Sequence, residues 1–555
     1  MSDQLKIYCK NIDKYIDFDG GETLLNVARR LDLPFTPICA RVNNKTENLH
    51  YQLFAPKQVE FLSILHPSGE RTYTRTLCMV LYRALKYLYD DVRLRISHSI
   101  SGGYYCRIYG EGIKSDLPTA EMIRVEMQRI ISEDMPIQYK ERLKTDAIEI
   151  FRKQGLESKV KLLSTVHELY CVYYKMDGLC DSYYGTLAPS TGILKVFDFT
   201  PYKDGFLLRG FDKKNPSVTA PEVKQEKMFK AFTDYVEFNS IVDVRNVGEL
   251  NQAVLDGNTA TLINVAEALH DKYIARISDE ITRRYHEGGA RVVLIAGPSS
   301  SGKTTTTKRL AIQLMTNLLR PQMISLDNYF VDRHHTPRDE SGELDYESIY
   351  ALDLEQFNRD LLDIINGKEV ALPTYNFQTG AREYKGNTIK LTEGSILLIE
   401  GIHGLNPELT KDIPDRMKFR LYVSALTTLS IDDHNWIPTT DNRLLRRIIR
   451  DYKYRGASAE ETLKRWPSVR RGEEKWIFPY QENADATFNS SLIFELAVMR
   501  RCGEEILSQV PHDIPEYGEA YRLRKFLSYF LPIDKHNLPS TSLLREFLGG
   551  SSFKY

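Results

Sequence analysis

The 555-residue chain reads as a multidomain protein, α+β in its front half and α/β with a doubly wound parallel sheet in its C-terminal half. Three observations predict this. From about 290 to 500, apolar β-branched runs alternate with helical periods, as a parallel sheet with crossover helices requires. One such run, Val292-Val293-Leu294-Ile295-Ala296, feeds a glycine loop of the form GxxxxGK[ST], and helix-forming residues follow at 308–319. Ahead of about 215 the pattern is mixed, beginning with an alternating strand at 5–9 and turning at Gly20-Gly21.

Taken in order, residues 1–67 form a small β-rich unit with one helix. Thr23 caps a helix over 24–31, a strand starting at Cys39 enters a turn at Asn43-Asn44, and 59–65 is a closing strand. Residues 68–215 form a tyrosine-rich second unit, with a helix at 77–89, a strand–turn–strand at 96–105 and a turn at 189–192. Residues 216–288 are a polar, helical connector whose last helix, 260–287, ends at Gly288-Gly289. The α/β unit spans 289–500. A C-terminal helical extension, 501–555, carries helices at 504–510 and 517–530.

Composition narrows the function. With 74 Lys+Arg against 75 Asp+Glu and a net charge of -1, the chain has no general attraction to nucleic acid or membrane, which argues against an RNA-binding role. The seven cysteines are odd in number and form no CxxC pair, which fits a reducing, cytoplasmic setting. The first 17 residues lack an apolar signal core. No apolar run approaches the ~20 residues of a membrane span.

The glycine loop is Gly297-Pro298-Ser299-Ser300-Ser301-Gly302-Lys303-Thr304, with Thr305 entering the helix. In such a loop the backbone N–H groups and the positive helix end face a polyphosphate. Glycines 297 and 302 allow close wrapping, Lys303 reaches the β- and γ-phosphates, and the Thr304 hydroxyl ligates magnesium. The ligand predicted is ATP with Mg2+. Asp327 follows a second strand, 321–326, and Glu400 closes a third, 395–399. Residues just past strand C-termini line the ligand crevice of an open α/β sheet. Asp327 is placed to take a proton from an acceptor hydroxyl or to help hold magnesium, its alternative being to cap the next turn. Glu400 acts through magnesium or its water shell. Five arginines lie between 443 and 455. Arg447, Arg450 and Arg455 are candidates to fork onto migrating phosphate charge, the alternative being a solvated basic face. His403 offers either a substrate contact or a local structural role. Arg470 to Lys475 read as an exposed turn.

These pieces resemble the uridine kinase and phosphoribulokinase family. The matching segments are Ser325-Leu326-Asp327-Asn328-Tyr329-Phe330, Leu344-Asp345-Tyr346, Pro373-Thr374-Tyr375-Asn376-Phe377 through Arg382, Leu398-Ile399-Glu400-Gly401-Ile402, and Asp441 to Asp451. The resemblance implies transfer of the ATP γ-phosphate to a primary hydroxyl, most simply the 5′-hydroxyl of a nucleoside. Asp327, Lys303 and Arg447 would be catalytic. Asp345, Tyr375, Arg382 and Arg447 would bind the substrate, while Arg450 and Arg455 would join the loop around ATP, and Thr304 and Glu400 would hold the metal. A phosphoribulokinase-like sugar-phosphate acceptor is the rival within the family, and a nucleotide-sensing regulatory protein is the rival outside it. The match breaks at Gly380, where uridine kinases carry a base-reading histidine, and at Asn376 and Ala457.

The front units carry resemblances too. Residues 1–67 are similar to the TGS domain of threonyl-tRNA synthetases, a β-grasp-like fold. Residues 68–215 resemble the second additional domain of threonyl- and alanyl-tRNA synthetases, giving together a bacterial nucleoside kinase type of arrangement. That domain's HxxxH and CxxxH ligand positions fall here on Arg75, Met79, Tyr183 and Leu187, so no metal centre is expected. A homo-oligomer is compatible with all of this.

Overall fold

A computed structural model describes residues 5–340 and 342–554; the first four residues of the expected N-terminal unit lie outside it. That unit folds as a five-stranded sheet in the order 14–18, 5–9, 58–62, 39–42, 45–47. Leu5–Cys9 and Gln58–Leu62 are parallel and the other pairs antiparallel. The helix Leu24–Arg29 covers one face, its N-cap Thr23 accepting from the Asn26 amide at 3.3 Å. Leu24, Val27, Ile7 and Phe61 close a small core.

The second unit opens with a helix ten residues earlier than its apolar period suggests. Pro67–Leu88 starts at a His66 N-cap with proline in its first turn, a favoured place for a residue lacking an N–H. The polar-looking Thr72 and Thr76 are buried in it because each hydroxyl bonds the carbonyl four residues back. Two sheets complete the unit, one of four strands (198–202, 205–209, 103–109, 93–100) and one of three (138–143, 170–176, 179–181). The connector is three helices, Glu226–Ile241, Val247–Leu255 and Thr259–His286.

The last large unit is a five-stranded, all-parallel sheet ordered 320–325, 395–400, 292–296, 418–424, 486–489. Val292–Ala296 is central and wholly buried, as a parallel strand covered on both faces must be. Its residues alternate between two cores. Val293 and Ile295 join a cluster running continuously into the second unit, the connector and the C-terminal helices. Val292 and Leu294 pack with Phe330, Phe357 and Ile399 on the opposite face. The helix Lys303–Thr316 is tied to the long connector helix by Arg309, which pairs with Glu267 at 3.3 Å and Asp271 at 2.7 Å.

Two expectations need correction. The boundary at 500/501 runs through the helix Glu495–Ser508, because the apolar face of that helix continues across it and packs on the C-terminal helix Tyr517–Leu527. Residues 470–475 are not an exposed turn but the end of the helix Ala459–Trp476. Pro467 suggests a break there, yet the helix continues, started by a Ser458/Glu461 capping box and anchored near its end by the fully buried Glu473.

A buried ionic cluster joins the second unit to the sheet unit. Lys159 Nζ lies 3.0 Å from Asp181 and 2.9 Å from Asp432, and His434 Nδ1 lies 2.8 Å from the other Asp181 oxygen. All four side chains are at most 3 % exposed. Removing one partner from such a cluster strands the rest in a low-dielectric site, so the short hairpin 430–436 is pinned to the second unit. The helix Thr439–Tyr454 follows directly.

Candidate active site

The glycine loop sits at the C-terminal end of the central strand, where the adjacent strand 395–400 ends in Glu400 and the strand beyond it, 320–325, leads into Asp327. Gly297 is required there, since a Cβ would stand 1.9 Å from the Val423 carbonyl oxygen of the adjacent strand. Gly302 takes a left-handed backbone (φ 82°) as N-cap of the helix. Lys303 folds along the loop, donating to the carbonyls of Gly297 at 3.0 Å and Pro298 at 3.2 Å. Thr304 Oγ1 donates to Glu400 at 2.7 Å, so a hydroxyl and a carboxylate oxygen meet beside the lysine, a donor set suited to a hard divalent cation. The loop, the helix start and this pair fit a nucleoside triphosphate and its magnesium. Lys303 would hold the phosphates, while Thr304 and Glu400 would hold the metal.

Charges in the cleft are mutually dependent. Burial lowers the Lys303 ammonium, with Glu400 and Asp327 opposing. Burial raises the Asp327 carboxyl, against Lys303, Arg455 and Arg450. Glu400 is pushed up to about 7 by burial, with Lys303 and Thr304 pulling it back.

The helix Thr439–Tyr454 crosses the loop with its arginines divided between two tasks. Arg443 and Arg446, 1 % and 0 % exposed, pair with the buried Glu473 and Glu495 and donate to the Ser299 and Ser300 carbonyls at 3.1 and 3.4 Å. Arg447 donates to the Ser299 hydroxyl at 2.7 Å. Arg447, Arg450 and Arg455 share one carboxylate, Asp451, at 3.0, 3.7 and 3.3 Å. Of the residues expected to act on phosphate, Lys303, Thr304, Asp327, Glu400, Arg447, Arg450 and Arg455 are thus connected in one network.

The expected substrate residues are more dispersed. Asp345 spends one oxygen on its own turn, accepting from the Glu347 amide at 3.1 Å. Glu347 itself, missed at the sequence level, faces the cleft. Burial raises it to about 7, Glu473 adds to this, and Arg447 and Lys303 oppose. Gly472 makes room for it, since a Cβ there would fall 2.3 Å from the Glu347 Cβ. His403 is buried beside the Glu347–Ser348 backbone. Tyr375 is buried between Phe330 and Phe377, ring centroids 5.6 and 5.0 Å away. Arg382 is committed to Asp353 at 2.9 Å and Gln356 at 2.6 Å. Gly380 has φ 71°, and a Cβ would meet Arg333 at 2.8 Å. Arg333 fills that space and donates to the Phe377 carbonyl at 2.6 Å.

Three further residues escaped the sequence reading. Glu473 pairs with Arg443 and Arg470 and accepts from the Ser299 amide at 3.1 Å. Asp451 unites the three cleft arginines. Glu546, from the C-terminal segment, accepts from Thr305 Oγ1 at 2.7 Å and lies 3.8 Å from Arg450. The helical spacing of the arginines, which puts 443, 447 and 451 on one face, could have flagged Asp451; nothing local in the sequence flags the other two.

Residues 292–492 match the phosphoribulokinase / uridine kinase family. The uridine kinase of Staphylococcus aureus (strain JH9) is 30 % identical over 195 residues, which is 35 % of this chain and 84 % of that one. Among solved structures, a possible uridine kinase from Bacillus stearothermophilus aligns at 20 % identity with a TM-score of 0.25, over 36 % of this chain and 89 % of that one. D-Glycerate 3-kinase from Cryptococcus neoformans aligns at 14 % identity with a TM-score of 0.22, over 46 % and 87 %. With the glycine loop, the two strand-end carboxylates and the arginine helix all inside the matched segment, the chain belongs to the phosphoribulokinase / uridine kinase family.

Proposed function

We propose that the protein is an ATP-dependent nucleoside kinase that transfers the γ-phosphate to a 5′-hydroxyl, using Mg2+. The observation that carries the reading is the Thr304–Glu400 pair at a glycine loop that Lys303 and Arg447 both contact, with Asp327 electrostatically coupled to Lys303. Phosphoryl transfer asks for little covalent chemistry and much positioning and charge stabilisation, and this cleft is built for both. Asp327 orients the acceptor hydroxyl and takes its proton. A carboxyl raised by burial is a stronger base once ionised, and Lys303 beside it favours the ionised form. Arg447 and Arg450 stabilise charge on the transferred group. Magnesium, when bound, neutralises the phosphates. Asp345, with Glu347 two residues on, binds the acceptor, and Tyr375 shapes the wall behind it.

Arg333 at the Gly380 loop favours one second reading. It places an exposed cation where a base-reading histidine was expected, which suits the phosphate of a sugar-phosphate acceptor. The front units are read as TGS-like and synthetase-like domains, supported by the mixed five-stranded order and by the packing of Arg75 and Thr76 against 186–188.

ADP release from Mg-ATP with uridine, cytidine, thymidine, adenosine, guanosine and inosine tests the proposal. One nucleoside is expected to respond, with Lys303→Ala and Asp327→Asn each losing ~10²- to 10⁴-fold in kcat at unchanged circular dichroism. Silence with all six, but turnover with a phosphorylated sugar, would select the second reading. Full turnover by Asp327→Asn would remove its role as base.

A further inference from the structure

A half-open pocket of ≈ 870 Å³ lies beside the glycine loop, bounded by the second unit, the arginine helix, the helix Ala459–Trp476 and the C-terminal helix Tyr517–Leu527. That volume falls within the ~300–1,000 Å³ of small-molecule sites. Most of the cations on its walls are already paired. Arg71 meets Glu519 at 3.1 Å, Arg522 grips Asp441 at 2.6 and 2.8 Å, Lys213 meets Glu70 at 3.0 Å, and Arg443 and Arg470 hold Glu473.

Arg75 is the exception. Its Nε donates to the Thr186 carbonyl at 3.1 Å, and among the described residues no carboxylate lies within ion-pair distance of it. The side chain is half-buried on the pocket wall and keeps solvent-reachable surface there. Its place is built. Gly185 lies against it, and a Cβ there would fall 2.6 Å from Cζ. Burial, with Arg71 adding to it, lowers the guanidinium to about 10. An enclosed cation with no counter-charge is costly unless an anion supplies one.

One part of the wall is aromatic. Trp436 and Tyr104 pack against each other with centroids 4.4 Å apart, and both line the cavity. His98, also on the wall, stacks on Phe232 at 3.8 Å, and its Nε2 has no hydrogen-bond partner among the described residues.

We propose that this cavity is a second ligand site, taking a small organic anion with its phosphate or carboxylate on Arg75 and its planar body against Trp436 and Tyr104. Arg443 and Pro298 belong to the same walls, and Arg443 bonds the Ser299 carbonyl. The site thus borders the glycine loop without including Lys303 or Thr304 in its walls.

Intrinsic fluorescence tests this without catalysis, since Trp436 and Trp466, two of the three tryptophans, line the cavity. The full chain is titrated with phenyl phosphate, with benzoate, and with phenol as the neutral analogue. A saturable response to at least one anion is expected, at least 10-fold tighter than to phenol; the tighter anion identifies the charged group. The response persists in Lys303→Ala, where binding at the glycine loop would not. Arg75→Met weakens binding at least 10-fold, and without ligand it melts no lower than the parent, because an uncompensated cation has been removed. No saturable response to either anion in the unmodified chain would overturn the site, whatever the variants do. So would equal binding by Arg75→Met, or a lower melting temperature of that variant without ligand, which would make Arg75 a structural residue. The outcome is independent of the proposed kinase reaction.

Discussion

One helix, Thr439–Tyr454, carries arginines in two different physical situations. Arg443 and Arg446 are sealed from solvent, each paired with a carboxylate that is itself buried, and each also donates to a loop carbonyl. Arg447, Arg450 and Arg455 are less enclosed and share Asp451, with Glu546 3.8 Å from Arg450 as the one further carboxylate among the described residues. The first pair is neutralised and holds the shape of the loop. The second group is left with more positive than negative charge, and that surplus is what a migrating phosphoryl group requires. Five arginines in thirteen residues thus form one structural unit and one chemical unit, distinguished by their acidic partners rather than by their spacing.

Substitution can test that division. Arg443→Met leaves the buried Glu473 carboxylate with Arg470 as its one remaining ion-pair partner, and the loss of stability should be the largest of the series, up to about 3–5 kcal/mol, read from urea denaturation. Pairing it with Glu473→Leu should recover most of that loss. Arg447→Met should behave in the opposite way, lowering kcat by about 10²- to 10³-fold while unfolding within about 1 kcal/mol of the parent. If Arg443→Met folds normally but is inactive, or Arg447→Met unfolds, the two units are not separate.

Much of the cleft was legible because its chemistry is local in sequence. Gly297 to Thr304, Asp327 and Glu400 each follow an apolar strand, and parallel strands deliver their C-terminal ends to one edge. The parts that were not legible come from contacts between distant segments. Glu473 reads as a turn residue because Pro467 suggests a break, and only its burial against Arg443, thirty residues earlier, reveals its role. Glu546 approaches Thr305 from the far end of the chain. Glu347 lies two residues beyond Asp345, and the room it occupies is left by Gly472, more than a hundred residues later. The same applies to the front half, where Arg75 could be recognised as a non-ligand but not as an unpaired cation.

The smallest effect expected concerns two neighbouring carboxylates that repeat the contrast between the arginines. For Glu473, burial raises the carboxyl, but Arg443 and Arg470 outweigh it and hold it below the ordinary glutamate value. Glu347, across Gly472, has no such pair and is raised to about 7, by burial first and Glu473 second. The two therefore act on stability in opposite pH directions. The contribution of Glu473 is present above the unfolded glutamate pKa and is lost as pH falls through its lower folded value. That of Glu347 is present below the unfolded pKa, about 4.3, and is lost as pH rises toward 7, because the folded state holds a proton that the unfolded chain has released. Glu347→Gln removes that dependence. Between pH 5.5 and 7.5 the parent should lose more stability than Glu347→Gln, with the two curves closest at the acid end and the variant ahead at pH 7.5. Parallel curves across that interval would mean that Glu347 is ionised throughout, held by Arg447 and Lys303 as firmly as Glu473 is held by Arg443. The division between paired and unpaired charge would then end at the arginine helix and not extend to the acceptor side of the cleft.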